Sequence, residues 1–242
     1  MSRILLHACC GPCSLMPLSA LRDEGWDVTL FWFNPNIHPV DEWLKRRDAL
    51  REVAAKYGVA LREEGEAMDP AEWVRALGGV PEFGKRCTLC YRPRMLRTAE
   101  VAAAQGFDAF CSTLLYSKYQ NHESIIHEAE QAAACFGASF LYRDFRPFWW
   151  DGINLSKELG IYRQKWCGCI FSMKEAELQQ KQAADRKAAQ KAERAARLAQ
   201  EEEERRAKKE AIAAKQAEKA QKRQERLAAK GLTETAAPHS AE

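Results

Sequence analysis

Apolar residues fall in short runs and turn-spaced rows over the first 173 residues, and both patterns then stop. The run "RILLHA" at 3–8 has the length of a buried strand, and "CSLMPLSALRDEG" at 13–25 reads as a helix ending at Gly25. A second strand follows in "DVTLFWFN" at 27–34. The next helix, "HPVDEWLKRRDALREVAAKYG" at 38–58, is expected to run for roughly 18 residues, with Pro39 near its start and Gly58 at its end. "VALREEG" at 59–65 is a third strand, and a helix is expected in "RMLRTAEVAAAQG" at 94–106. Then come a strand in "FDAFCSTLL" at 107–115, a helix in "HESIIHEAEQAAACFG" at 122–137 and a last strand in "ASFLYRDF" at 138–145. Strands alternating with helices predict an open, Rossmann-like α/β fold with a parallel sheet of about five strands. Ligands of such sheets sit beyond the carboxyl ends of the strands. The residues there are Cys9, Cys10 and Cys13 after the first strand, and Asn34, Pro35 and Asn36 after the second. Ser112, Thr113 and Ser117 follow the fourth, and Asp144, Arg146 and Trp149 the fifth.

Residues 174–242 contain no Phe, Trp, Tyr or Cys and consist mostly of Ala, Glu, Lys, Arg and Gln. The chain therefore divides into an α/β domain at 1–173 and a charged tail at 174–242. The tail reads as an exposed helix that loses order from Gly231 onward. Acid–base pairs four apart, such as Glu201 with Arg205, Glu202 with Arg206 and Glu204 with Lys208, support that helix. No Leu or Ile heptad marks a coiled coil. The tail holds 17 Lys and Arg against 13 Asp and Glu, a net of +4. The rest holds 20 against 21, a net of −1, so the overall +3 comes from the tail. That tail is either a solubilising helix or a weak aid to RNA binding, and no partner for it is implied. Neither a secretory signal nor an apolar stretch of about 20 residues is evident, so a soluble, cytoplasmic protein without a membrane partner is expected.

Nine cysteines in such a chain call for an explanation. An odd number in a reducing compartment argues against a disulfide framework. Cys111 and Cys135 stand alone, and Cys135 reads as a buried apolar position, but the other seven fall into three groups. In "CCGPC", Gly11 lets the backbone turn close to a metal and Cys13 stands near a helix start, where free N–H groups favour a thiolate. Vicinal Cys9 and Cys10 are expected to diverge, reaching different irons of a cluster or two neighbouring metals rather than one small zinc site. Cys87 and Cys90 have the Cys-x-x-Cys spacing of zinc, redox or iron–sulfur sites, flanked by Arg86, Arg92 and Arg94. Together the two groups provide the four thiolates of a [4Fe–4S] cluster, with four-cysteine zinc as the alternative. Cys167 and Cys169, separated by Gly168, suit a dithiol–disulfide couple, metal ligation or a structural turn. His7 suits a supporting hydrogen bond near the metal. Trp149 and Trp150 with Arg146, and Tyr116, Tyr119 and Lys118, are either core or a surface for stacking bases and holding phosphate.

These residues resemble the cobalamin-independent epoxyqueuosine reductases. The likeness rests on "HACCGPCS" at 7–14, "FNPNIHP" at 33–39, "RCTLCY" at 86–91, "STLLYSKYQ" at 112–120, "YRDFRP" at 142–147 and "YRQKWCGCIFS" at 162–172. It covers nearly all of 1–173 and leaves the tail outside. It implies reduction of epoxyqueuosine to queuosine at the wobble position of tRNA. It implies a sheet like that of adenine-nucleotide alpha-hydrolases, with "CCGPCS" in place of the phosphate loop. It further implies a [4Fe–4S] cluster on Cys9, Cys10, Cys87 and Cys90, a redox-active disulfide of Cys167 and Cys169, and a second metal, an iron, for which Cys13 is the candidate ligand. Trp166 stands where the family has Tyr, and "PFWWDG" replaces a basic, glycine-rich run. On this reading Asp144 is the candidate acid. Arg86, Arg92, Arg94, Lys118, Arg146 and Trp149 are the candidate tRNA contacts, and an unidentified donor supplies electrons. No Gly-x-Gly-x-x-Gly fingerprint points to a dinucleotide. The rivals are a tRNA-thiolating enzyme of the related sheet, which needs a phosphate loop that "CCGPCS" is not, and a zinc protein that binds RNA.

Overall fold

A computed structural model describes residues 1–79 and 85–229 of the chain. The expected loss of order from Gly231 lies outside the described residues. The chain divides into one compact unit at Met1–Leu178 and a second at Gln179–Glu242.

Four strands, β1 (Arg3–His7), β2 (Asp27–Trp32), β3 (Ala60–Glu63) and β4 (Ala109–Ser112), form an open sheet in the order β3-β2-β1-β4. Every pair is parallel, with Leu6 opposite Leu30 on one side and Cys111 on the other. Helices cover both faces of a sheet connected in this way. Ile4, Leu5 and Leu6 are accordingly all inaccessible to solvent, which is why β1 is continuously apolar rather than alternating. The chain builds outward from β1 to β2 and β3, then returns to place β4 on the other side of β1. That reversal opens a crevice at the carboxyl ends of β1 and β4.

The helices are α1 (Gly11–Asp23), α2 (Val40–Tyr57), α3 (Pro70–Ala76), α4 (Lys85–Ala104), α5 (His122–Phe136), α6 (Trp149–Glu158) and α7 (Ile170–Ala229). Three differ from the expectation. α4 starts at Lys85, well before Arg94, because Pro93 lies inside the helix instead of interrupting it. α3 is nucleated by Asp69, whose side chain accepts from the N–H groups of Ala71 and Glu72, with Pro70 behind it. α6 forms in the "WWDG" region, where Tyr116 Oη donates to the Trp149 carbonyl at 2.9 Å.

The fifth strand shrinks to one parallel bridge, Phe110 to Phe140. Phe110 N–H donates to the Ser139 carbonyl at 2.8 Å, and Leu141 N–H to the Phe110 carbonyl at 2.9 Å. Beyond Leu141 the local side chains take over. Arg143 pairs with Glu24, and the Asp144 carboxylate accepts from the Arg146 N–H, turning the chain into a short 3-10 helix at Arg146–Phe148.

The described residues of the second unit belong to α7 and none is buried. Two of its ion pairs run basic-to-acidic, Arg197 with Glu201 and Arg206 with Glu210, so Glu201 meets Arg197 and not Arg205, while Glu218 with Lys222 keeps the acidic-to-basic register expected of the tail. No helix among the described residues is long and apolar enough to cross a membrane.

α1 begins against α2. A Cβ on Gly11 would lie 2.5 Å from the Ala49 carbonyl oxygen, so only glycine permits this approach. Gly11→Ala should therefore destabilise the chain by about 1–3 kcal/mol through overpacking, read as a lower urea midpoint. An unchanged midpoint would mean that α1 and α2 separate freely.

Candidate functional site

The first cysteine group occupies the crevice where the strand order reverses. Cys10 has extended backbone and caps α1 with its sulfur, accepting from Cys13 N–H at 3.3 Å. Cys9 N–H donates to Thr113 Oγ1 at 3.1 Å, and that hydroxyl donates to Cys9 Sγ at 3.5 Å, joining the ends of β1 and β4. The vicinal sulfurs do not diverge: Cys9 Sγ and Cys10 Sγ lie 3.9 Å apart. Two thiolates on one tetrahedral metal, with metal–sulfur bonds of about 2.3 Å, are spaced by about 3.8 Å. The sharp passage from strand into helix at Cys10 and Gly11 therefore permits the shared ion that their adjacency argued against. With Cys13, the three sulfurs lie within 4.8 Å of one another and are suited to hold a metal ion.

Their titration is shared. Hydrogen bonding to Cys10, then to Cys13, holds the Cys9 thiol well below the ordinary range. Burial raises Cys10 and the hydrogen bond with Cys10 raises Cys13, both well above it. The nest thus favours one thiolate shared among three sulfurs. Gln164 covers it, donating from Nε2 to Cys10 Sγ at 3.1 Å and to Cys13 Sγ at 3.3 Å.

Cys87 and Cys90 sit three apart in the first turns of α4, a spacing that puts them on one face of the helix. Burial pushes Cys90 up to about 12. Arg94, one turn further on, donates from Nη2 to Cys90 Sγ at 3.1 Å and from Nε to the Cys90 carbonyl at 2.9 Å. Tyr91, beside Cys90, donates to Gln120 Oε1 at 2.6 Å, and Gln120 Nε2 donates to Cys167 Sγ at 3.2 Å.

The Cys167-Gly168-Cys169 loop is held from α2. Arg46 is buried and donates to the carbonyls of Trp166 and Cys167, both at 2.8 Å, while its Nε meets Glu42 Oε1 at 2.6 Å. Glu42 also accepts from Tyr162 Oη. Gly168 has a φ of 139°, and a Cβ there would lie 3.1 Å from Arg46 Nη1. His38 N–H donates to the Gly168 carbonyl at 2.8 Å. Cys167 and Cys169 are both free thiols.

Two buried guanidiniums connect the groups electrostatically. Burial opposes the charge of Arg94, yet Cys90, Cys167 and Cys9 raise its pKa. Burial likewise opposes Arg46, which Cys10, Glu42 and Cys167 raise. Arg94 therefore feels thiols from all three groups. A donor set made of thiols suits zinc or iron–sulfur chemistry.

The remaining candidates divide by exposure. Arg94 is 2% exposed, so it faces the sulfurs and not an RNA phosphate. Asp144 forms a bidentate pair with Arg146, whose hydrogen bond holds the carboxyl below its ordinary range. A carboxylate kept ionised in this way is no proton donor at neutral pH. Arg92 pairs with buried Glu128 and Arg86 with Glu175. His7 is buried between Ser112 Oγ at 2.9 Å and the Phe33 carbonyl at 3.3 Å, and burial lowers its pKa to about 4, so it packs as a neutral ring. Asn34 and Asn36 are buried, and Asn34 donates to the Ala8 carbonyl behind the nest. An aromatic surface lies at 116–150. Trp149 packs against Tyr116 and Tyr119, with ring centroids at 5.2 and 5.5 Å, and Lys118 Nζ stands 5.4 Å over the Trp150 ring. Tyr119 is 84% and Trp150 64% exposed.

Arg46, Gln120 and Gln164 were not legible as site residues. Arg46 looks like one more solvent-facing base of an amphipathic helix. The two glutamines lie inside the quoted motifs but carry no chemistry of their own.

Residues 4–175 match the family model described as epoxyqueuosine reductase QueH. The chain is similar to the epoxyqueuosine reductase QueH of Dehalococcoides mccartyi, with 34% identity over 70% of this chain and 92% of that one. It is similar also to that of Thermotoga maritima, with 35% identity over 72% and 92%.

The Arg46–Glu42 pair yields a test. Arg46→Met leaves a buried carboxylate uncompensated, so stability should fall by about 3–5 kcal/mol, and adding Glu42→Gln should restore part of it. Hydrogen exchange across 162–169 should accelerate in the single variant. Unchanged exchange there would show that the loop is held by other means.

Proposed function

The chain belongs to the epoxyqueuosine reductase QueH family, and from that premise we propose how its thiols and its surface carry the reaction. It is an oxidoreductase that converts epoxyqueuosine to queuosine at the wobble position of tRNA. The epoxide oxygen leaves as water and an alkene remains, which consumes two electrons and two protons. Oxidation of Cys167 and Cys169 from dithiol to disulfide releases two electrons and two protons, so the balance closes for one turnover. An external donor, not yet identified, then restores the dithiol.

A [4Fe–4S] cluster would be held by Cys9, Cys10, Cys87 and Cys90, with Cys13 as candidate ligand of a second, mononuclear iron, and would supply the single-electron chemistry and the Lewis acidity that side chains lack. The observations that support this reading are the sulfurs of Cys9, Cys10 and Cys13, all within 4.8 Å of one another, and the hydrogen bond from Arg94 Nη2 to Cys90 Sγ at 3.1 Å. The protein's own tasks are positional. Thr113 orients Cys9, Gln164 covers Cys10 and Cys13, Gln120 directs Cys167, and Arg46 holds the loop that carries the dithiol. Asp144 is not retained as the acid, since the dithiol brings its own protons.

The tRNA contacts are assigned to the aromatic surface, where Trp149, Tyr119 and Trp150 offer stacking for unpaired bases and Lys118 offers charge. Arg86, Arg92 and Arg146 add positive field, weakened by their acidic partners. Tyr119 precedes Gln120, so bases stacked there lie one residue from the amide that touches Cys167. The three-sulfur nest also suits a zinc protein that binds RNA, and metal content separates the two readings.

The test is anaerobic turnover of tRNA bearing epoxyqueuosine, with iron, zinc and sulfide measured on the same sample. About four to five irons per chain, for the cluster without and with the second iron, and product formation are expected; active protein holding zinc alone would overturn the reading. Cys167→Ser should abolish turnover sustained by a thiol reductant, and unchanged rates with every reductant would remove the dithiol from the scheme. Affinity for tRNA should fall as salt rises, with Tyr119→Ala and Trp150→Ala each weakening it by about 1–3 kcal/mol.

A further inference from the structure

Two arginines are buried deep in the first unit, and they differ in what balances them. Arg46, 1% exposed, has the Glu42 carboxylate at 2.6 Å. Arg94, 2% exposed, has no carboxylate within ion-pair distance among the described residues. Its neighbours are the Cys90 sulfur at 3.1 Å, the Cys90 carbonyl at 2.9 Å and the Tyr91 ring, whose centroid lies 5.6 Å away. A buried charge without a counter-charge costs several kcal/mol, and a carbonyl with a ring face does not replace an anion. The sulfurs are the remaining source of negative charge, and metal-bound thiolates carry it permanently.

We propose that Arg94 is the buried counter-ion of the metal–thiolate centre, a positioning residue that fixes how much negative charge the centre holds and hence its reduction potential. This rests on the metal–thiolate reading above. A cluster on thiolates becomes more negative when it gains an electron, and a cation hydrogen-bonded to one of its sulfurs favours that reduced form. The lateral placement of Arg94 also suits the task. It lies one turn beyond Cys90 on the same helix, so ligand and counter-ion are fixed by one rigid element. The same burial removes it from the RNA surface.

The experiment compares full-length wild type, Arg94→Met and Arg94→Lys, each prepared without metal and each reconstituted anaerobically with iron and sulfide. Loaded Arg94→Met should have a more negative midpoint potential and about 10- to 100-fold weaker retention of iron against a chelator, while Arg94→Lys recovers most of both. In the metal-free chains the order should reverse, with Arg94→Met melting at or above wild type because an uncompensated charge is gone. Affinity for unmodified tRNA should stay at the wild-type value.

Wild-type potential and retention in Arg94→Met would overturn the proposal. So would equal destabilisation of its metal-free and loaded forms, which marks a packing role, or a loss of tRNA affinity at unchanged potential. Where Arg94→Met fails to fold without metal, that failure is itself the packing outcome. Wild type that takes up no iron would instead sink the metal reading on which the proposal stands.

Discussion

The ion pair between Arg46 and Glu42 is the constraint on which the site's closure depends. It lies inside one helix, yet its spare hydrogen-bonding capacity reaches across more than a hundred residues of sequence. Arg46 holds the carbonyls of Trp166 and Cys167, and Glu42 accepts from Tyr162. Isolated, a buried pair of this kind contributes little net stability, because desolvation offsets attraction. Its value here lies in direction. A planar guanidinium with three occupied edges tolerates one placement of the loop, and Gly168 with its φ of 139° is what lets the loop adopt it. The cysteines of that loop are thereby brought into the field of the same arginines that feel the sulfurs near β1.

A second constraint works at the floor of the crevice. Reversal of strand order beside β1 leaves room for a ligand at the carboxyl ends of β1 and β4, and Thr113 ties the two ends together through Cys9. Sulfur takes the place of the oxygen that usually caps a helix, since Cys10 accepts from the N–H of Cys13. The nest is therefore part of the backbone's own hydrogen bonding, and helix start and metal donors are one object.

Much of this architecture was readable from local pattern. The alternation of strands and helices predicts an open parallel sheet, and a parallel sheet places Cys9, Cys10 and Thr113 at one edge. Failures came where side-chain contacts, near or distant, override the apolar pattern. The helix expected from Arg94 in fact starts at Lys85 and runs through Pro93 with Cys87 and Cys90 on board. "ASFLYRDF" has strand composition, but Arg143 and Asp144 find side-chain partners that end pairing after a single bridge. Arg94 and Arg92 look alike in sequence, two residues apart in a basic cluster. Only the packing of α4 turns one toward the sulfurs and the other toward Glu128. Asp144 looks like an acid until its partner, Arg146, is seen to keep it ionised.

The mooring of the Trp166–Cys169 loop to α2 has a consequence for the order in which the protein is made. Floor, flanking helices and the first two cysteine groups all leave the ribosome before residue 162, whereas the covering loop emerges almost last in the Met1–Leu178 unit. Every residue of the thiol nest is thus made before the loop that covers it. The cover is fastened only when the carbonyls of Trp166 and Cys167 exist for Arg46 to hold.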